Sequence, residues 1–180
     1  PLLAASVLLL LGLGMVSLYS ASFSFADRFF QDGLYFIKRQ AAFGALGVIL
    51  FFLAARIDLE FLRRFVKPLV LGTILLCLLT FVPGIGVMRN GAARWIRLGP
   101  TTYQPSELVK LVLPFYLAHI FDKKQDRLSD ASAGILPPAL MTLLFFLLIY
   151  LQNNFSTAAF VAANALVIFF LACVKIRYFL

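Results

Sequence analysis

The residues best equipped for chemistry lie between Asn90 and Lys110, in the run NGAARWIRLGPTTYQPSELVK. Arg94 and Arg97 flank Trp95, the only tryptophan, and a guanidinium can meet a phosphate through two parallel hydrogen bonds. Glu107 and Lys110 stand three residues apart, a spacing that puts a carboxylate and an ammonium on one helix face. Pro114 has no N–H for the carbonyl of Lys110, so that face also carries a freed acceptor. Such a set suits an amphiphile with a diphosphate headgroup. A plainer reading stands beside each part: arginines reaching phospholipid phosphates, an indole in an interfacial belt, and an ion pair that merely orients a helix.

The elements that must position these residues are membrane spans. Hydrophobic residues make up 62% of the 180-residue chain, mean hydropathy is +0.96, and only 13% of residues are charged. Soluble domains carry about twice that share of charge. The charges fall between long apolar runs, which is the pattern of an all-α, polytopic transmembrane helical bundle, because a helix satisfies its own backbone in lipid. The short alternating strands of a β-barrel are not evident. The first apolar run lacks a basic leader and a cleavage site, and is expected to span rather than to be removed.

Six spans can be drawn, at about Leu2–Ser20, Tyr35–Ala55, Pro68–Val82, Pro105–Phe121, Ile135–Leu151 and Phe155–Val174. The third and fourth are short for a hydrocarbon core of roughly 30 Å, so the 83–107 loop is expected to dip into the membrane or to pack on other helices. Nine Lys and Arg follow the second, fourth and sixth spans, against six on the other side, which places the N-terminus in the cytoplasm. The 83–107 loop keeps Arg89, Arg94 and Arg97 against that bias, as an outer loop that binds an anion would.

Local punctuation agrees with this map. Pro105 suits the first position of a helix, and Glu107 complements the positive end of its dipole. Pro137 and Pro138 fit the first turn of the fifth span, Asn154 could cap the sixth, and Asn90-Gly91 and Gly99-Pro100 read as turns. Gly12, Gly14, Gly44 and Gly47 are expected to let helices approach closely. Asn164, inside the sixth span, is expected to hydrogen-bond to a neighbouring helix.

Cys77 and Cys173 lie in apolar runs and read as packing residues, and His119 is the only histidine, so no metal site is expected. The net charge of +8 is assigned to basic loops at anionic headgroups rather than to nucleic acid. The chain opens inside an apolar run and stops just after a basic turn, and is expected to be a piece of a longer protein.

The run from Asn90 to Leu111 resembles the SEDS family (shape, elongation, division and sporulation), represented by FtsW and RodA, in its NGA-x-RWI-x-LG and QPSE-x-x-K patterns. The resemblance covers about a dozen positions at fixed spacing, and the order of spans over the whole chain. It implies some ten helices, of which residues 1–180 would be the first six in a single transmembrane domain. It implies a peptidoglycan glycosyltransferase that polymerises lipid II at the outer face of the bacterial cytoplasmic membrane, beside a class B penicillin-binding protein. By position it makes Arg94, Trp95, Arg97, Gln104, Ser106, Glu107 and Lys110 the substrate-binding residues. The family's catalytic acid is expected beyond Leu180, which would leave residues 1–180 inactive alone. The run PGIGVMRNGAARWI is more like the FtsW branch than the RodA branch. Where the family has LQPD-x-GT, this chain has Asn153, Asn154 and Ser156 at the Pro, Asp and Gly positions, so a network built on that carboxylate is in doubt. Diphosphate chemistry suggests a divalent cation, although no acidic cluster here could hold one. A flippase for the same lipid and a non-catalytic scaffold are the rival readings; polar residues concentrated at the outer ends favour the enzyme.

Overall fold

The computed structural model describes residues 2–89, 91–99, 101–125 and 131–172. These form two compact units, 1–58 and 59–180.

The first unit is a helical hairpin, α1 (Leu2–Phe30) and α2 (Tyr35–Ala54). Both helices are long and apolar enough to cross a membrane. Helix α1 continues ten residues past the expected end at Ser20 because Phe25 and Phe29 stack at 4.5 Å within it and Phe25 also meets Phe36 of α2. Between the helices Asp32 organises the turn: Leu34 N–H donates to its Oδ1 at 3.0 Å, and Lys38 Nζ pairs with its Oδ2 at 2.8 Å. An added Cβ at Gly12, Gly14, Gly44 or Gly47 would meet open space, so among the described residues no helix approaches closely at these glycines. Beside Gly14 lies a groove of about 350 Å³, lined also by Leu18 and Gln40.

The second unit packs α3 (Leu59–Leu79), α5 (Leu136–Leu151) and α6 (Phe155–Leu171) around α4 (Pro105–Lys123). Helix α4 buries seven residues and each of the others four, which marks it as the centre. Val109, Leu113 and Leu117 of α4 form the core with Cys77, Phe145, Ile149, Val161 and Ala165. Cys77 is thus a packing residue; Cys173 lies outside the described residues. A π-helical turn, Ala131–Ile135, leads into α5, and Pro137 and Pro138 occupy its first turn as expected. Ser132–Leu151 is the third stretch long and apolar enough to span.

Helix α3 corrects the third predicted span. It begins nine residues before Pro68, which lies inside the helix, where it removes one N–H donor without ending the helix. At 21 residues, α3 reaches about 32 Å, but the turns added before Pro68 carry Glu60, Arg63, Arg64 and Lys67, so its apolar stretch remains short.

The loop itself is a small antiparallel sheet in the order β1 (Gly86–Arg89), β2 (Ala92–Leu98), β3 (Thr101–Tyr103). Gly91 and Gly99 take φ of +73° and +59° at the two reversals, a left-handed backbone that glycine adopts without strain. The sheet packs on the helices of this unit, as one of the two expectations for the loop had it: Arg94 and Gly91 are both bonded to the α5–α6 turn.

Candidate functional site

The sheet, the start of α4, the end of α3 and the α5–α6 turn meet at one end of the second unit. The pairing of β1 with β2 shifts register so that Arg94 has no partner on β1, and strict alternation does not run through this bulge. Ala92 and Ile96 on either side of it are buried. Arg97 is exposed, and Arg94 is half-buried. An Arg94 Nη2–H donates to the carbonyl of Asn153 in the α5–α6 turn, and its Nε is buried. The guanidiniums of Arg89 and Arg94 each lie 5.9 Å from the centre of the Trp95 ring, within cation–π range. Trp95 thus lies beside Arg89 and Arg94. Arg94 faces the bundle, and Arg97 faces out.

Pro105 opens α4 as predicted, which places Ser106 and Glu107 in its first turn. Ser106 is fully buried; its Oγ accepts from Gln104 Nε2 at 2.9 Å and from Asn154 Nδ2 at 3.3 Å. Asn154 precedes α6 but its side chain does not cap that helix. It reaches across to α4 instead, because a buried amide bonded to Ser106 is satisfied there. Gln152 is also fully buried and donates to the Cys77 carbonyl at 3.2 Å, an acceptor shared with Thr80 Oγ1 at 2.7 Å. Asn153 stays exposed between them, donating from Nδ2 to the Gly91 carbonyl at 2.7 Å. Two amides thus stand in the Pro and Asp positions of the family pattern and still make a network. Neither Thr80 nor the grip of Asn153 on the sheet was legible in the sequence; the run of amides after α5 was the available signal.

Glu107 and Lys110 form the expected ion pair at 2.7 Å, with the Lys110 side chain 31% and the Glu107 side chain 54% exposed among the described residues. Lys110 Nζ also lies 5.7 Å from the centre of the Phe160 ring on α6. Phe160, Pro114 and Asn164 line the same narrow crevice between α4 and α6. Burial pushes the Tyr103 phenol above its usual value, with Cys77 and the Glu107 carboxylate adding to the effect. His119 sits on α4 in a groove of about 330 Å³ with Arg63 and Glu60, away from these residues. Among the described residues no group of three or more His, Cys, Asp or Glu side chains is placed to hold a metal ion.

Fold and site together define a polytopic helical membrane protein with a small polar sheet seated on one end of its bundle. The chain belongs to the FtsW/RodA/SpoVE cell cycle protein family, whose sequence model matches residues 1–180. It is 40% identical over 167 residues to a probable peptidoglycan glycosyltransferase FtsW of Geobacter sp. (strain M18), covering 93% of this chain and 46% of that protein. It is 34% identical over 178 residues to the stage V sporulation protein E of Bacillus subtilis (strain 168), covering 99% and 49%. Among solved structures it is similar to the Thermus thermophilus rod shape determining protein RodA, in a mutant form, with a TM-score of 0.69, 28% identity and coverage of 92% and 55%. The same TM-score, 0.69, and identity, 28%, relate it to a chain of a peptidoglycan synthase complex that coordinates polymerization and crosslinking, covering 93% and 48%. The chain spans about half the length of these relatives.

Proposed function

We propose that residues 1–180 are the N-terminal part of a single transmembrane domain in a peptidoglycan glycosyltransferase. The enzyme polymerises lipid II at the outer face of the bacterial cytoplasmic membrane, with the N-terminus in the cytoplasm, during division or elongation. A class B penicillin-binding protein is its partner for crosslinking. One observation carries the reading: the motif residues on β2 and α4 gather at one end of the bundle, where buried amides hold a frame and cations remain partly exposed among the described residues.

The residues divide by role. Gln104 and Ser106 build the frame, and Trp95 lies against the arginines. Arg97 and Lys110 meet the diphosphate, Glu107 holds Lys110 in place, and Arg94 closes the headgroup site from the bundle side. Cations at that position stabilise the charge that develops on the departing undecaprenyl diphosphate. The base that activates the acceptor hydroxyl comes from beyond Leu180.

In the full-length protein, Arg97→Ala or Lys110→Ala should lower polymerisation of purified lipid II roughly 10- to 100-fold, the range for loss of a hydrogen bond to a charged group. Polymer formed at the unmodified rate by both variants would overturn these roles.

A further inference from the structure

The α5–α6 turn contains an unusual residue. Asn153 has φ of +57°, a left-handed backbone that side-chain-bearing residues rarely adopt and that asparagine tolerates best. The residues on either side are pinned. Gln152 is tied to the end of α3 and Asn154 to the start of α4, both within the buried interior. Held between them, Asn153 grips the β1–β2 hairpin at two points. Its side-chain amide donates to the Gly91 carbonyl at the hairpin reversal, and its own carbonyl accepts from Arg94 on β2.

We propose that Asn153 is a positioning residue for Arg94, fixing the direction of that guanidinium by clasping the hairpin that carries it. The left-handed backbone is part of the device, since it lets the carbonyl and the side chain of one residue reach the same hairpin. Proline, which the family pattern places here, has φ near −65° and no side-chain donor, so it could supply neither feature. This chain therefore orients its arginine by a turn that the Pro-Asp pattern does not allow. The consequence for substrate rests on the headgroup role given to Arg94 above; the clasp itself does not.

Two measurements on the full-length protein in detergent or nanodiscs separate these layers. Amide hydrogen exchange reads the clasp directly. Asn153→Pro should speed exchange across the β1–β2 hairpin, whereas Asn153→Gly, which keeps the left-handed backbone and the carbonyl, should retain most protection. Steady-state kinetics with purified lipid II read the positioning. Asn153→Pro should raise KM about tenfold, the scale of one to two lost hydrogen bonds, with kcat changed much less. It should have little further effect in an Arg94→Ala background, because a residue acting through another is not additive with it. Unchanged exchange in Asn153→Pro, or equal effects in both backgrounds, would overturn the proposal. If the unmodified protein turns over no lipid II, the headgroup reading falls, and the exchange experiment still decides whether Asn153 clasps the hairpin.

Discussion

The α1–α2 hairpin and the sheet-bearing end of the second unit are built from similar apolar helices yet held in different ways. In the hairpin the ties are local: a short turn, an Asp32–Lys38 pair and a set of rings in which Phe30 stacks on Tyr35 at 4.1 Å. Helix α2 buries no residue at all, and Ala26 is the only buried residue of α1 among those described. The second unit instead ties segments far apart in sequence through buried amides and a buried hydroxyl. Apolar contact alone discriminates weakly in lipid, where tails are as apolar as side chains. A polar group buried there must find its partner, so it specifies geometry. The end of the molecule that carries the candidate site is the end specified in this way.

Two serines put the contrast to the test with the largest effect. Ser106 Oγ accepts from two amides in the interior, whereas Ser22 Oγ donates only to the Leu18 carbonyl of its own helix at 2.6 Å. Ser106→Ala should destabilise the full-length protein by about 3 kcal/mol, because it leaves two donors without an acceptor. Ser22→Ala should change stability by about 0.5 kcal/mol or less, since the carbonyl keeps its helical partner. Thermal unfolding in detergent checks both, and equal shifts would remove the distinction between the two regions.

The difference also explains what was legible. Helices came through composition and length, and α2, α5 and the start of α4 fall within a residue of the expected positions because Pro105, Pro137 and Pro138 mark real first turns. Pro68 misled, since a proline can sit inside a helix that packing holds. The residue types of the site were legible from charge, and the motif added Gln104 and Ser106. Their partners were not legible, because Ser106 meets Asn154 across 48 positions and Gln152 meets Cys77 across 75. Local pattern carries no information about pairings of that range. The strands between Gly86 and Tyr103 were hidden for a related reason: they are short, and the turn signals at Gly91 and Gly99 fit a compact loop equally well.

Two glycines sharpen the comparison at a smaller scale. A Cβ added at Gly86 would lie 2.0 Å from the Thr80 carbonyl oxygen, and backbone there is held by the end of α3. Gly86→Ala should therefore displace β1 at a cost of about 2 kcal/mol, within the range for overpacking. A Cβ at Gly33 would lie 2.5 Å from the Phe23 ring, an exposed side chain that can turn away. Gly33→Ala should cost about 1 kcal/mol or less, the scale of an altered rotamer. The two melting shifts should differ in that order, and the reverse order would show the hairpin to be the more tightly specified region.

The smallest effect belongs to the hairpin turn. Hydrogen bonds from Lys38 and from the Leu34 N–H hold the Asp32 carboxyl below its usual value of 3.8. A carboxyl lowered on folding contributes stability that is present above its unfolded pKa and is lost as pH falls through its folded pKa. Protection of the α1–α2 turn should therefore be level from neutral pH down to about 4 and decline below it. Water reaches this pair, so the change should be slight and weakened further by salt. Asp32→Asn keeps an acceptor for Leu34 but loses the ion pair, and should start lower and stay flat through the same window. Amide exchange at the turn, corrected for intrinsic rates, reads both profiles. A variant that declined in parallel with the natural sequence would mean that some other group governs the turn, and the hairpin would have one more tie than its local contacts reveal.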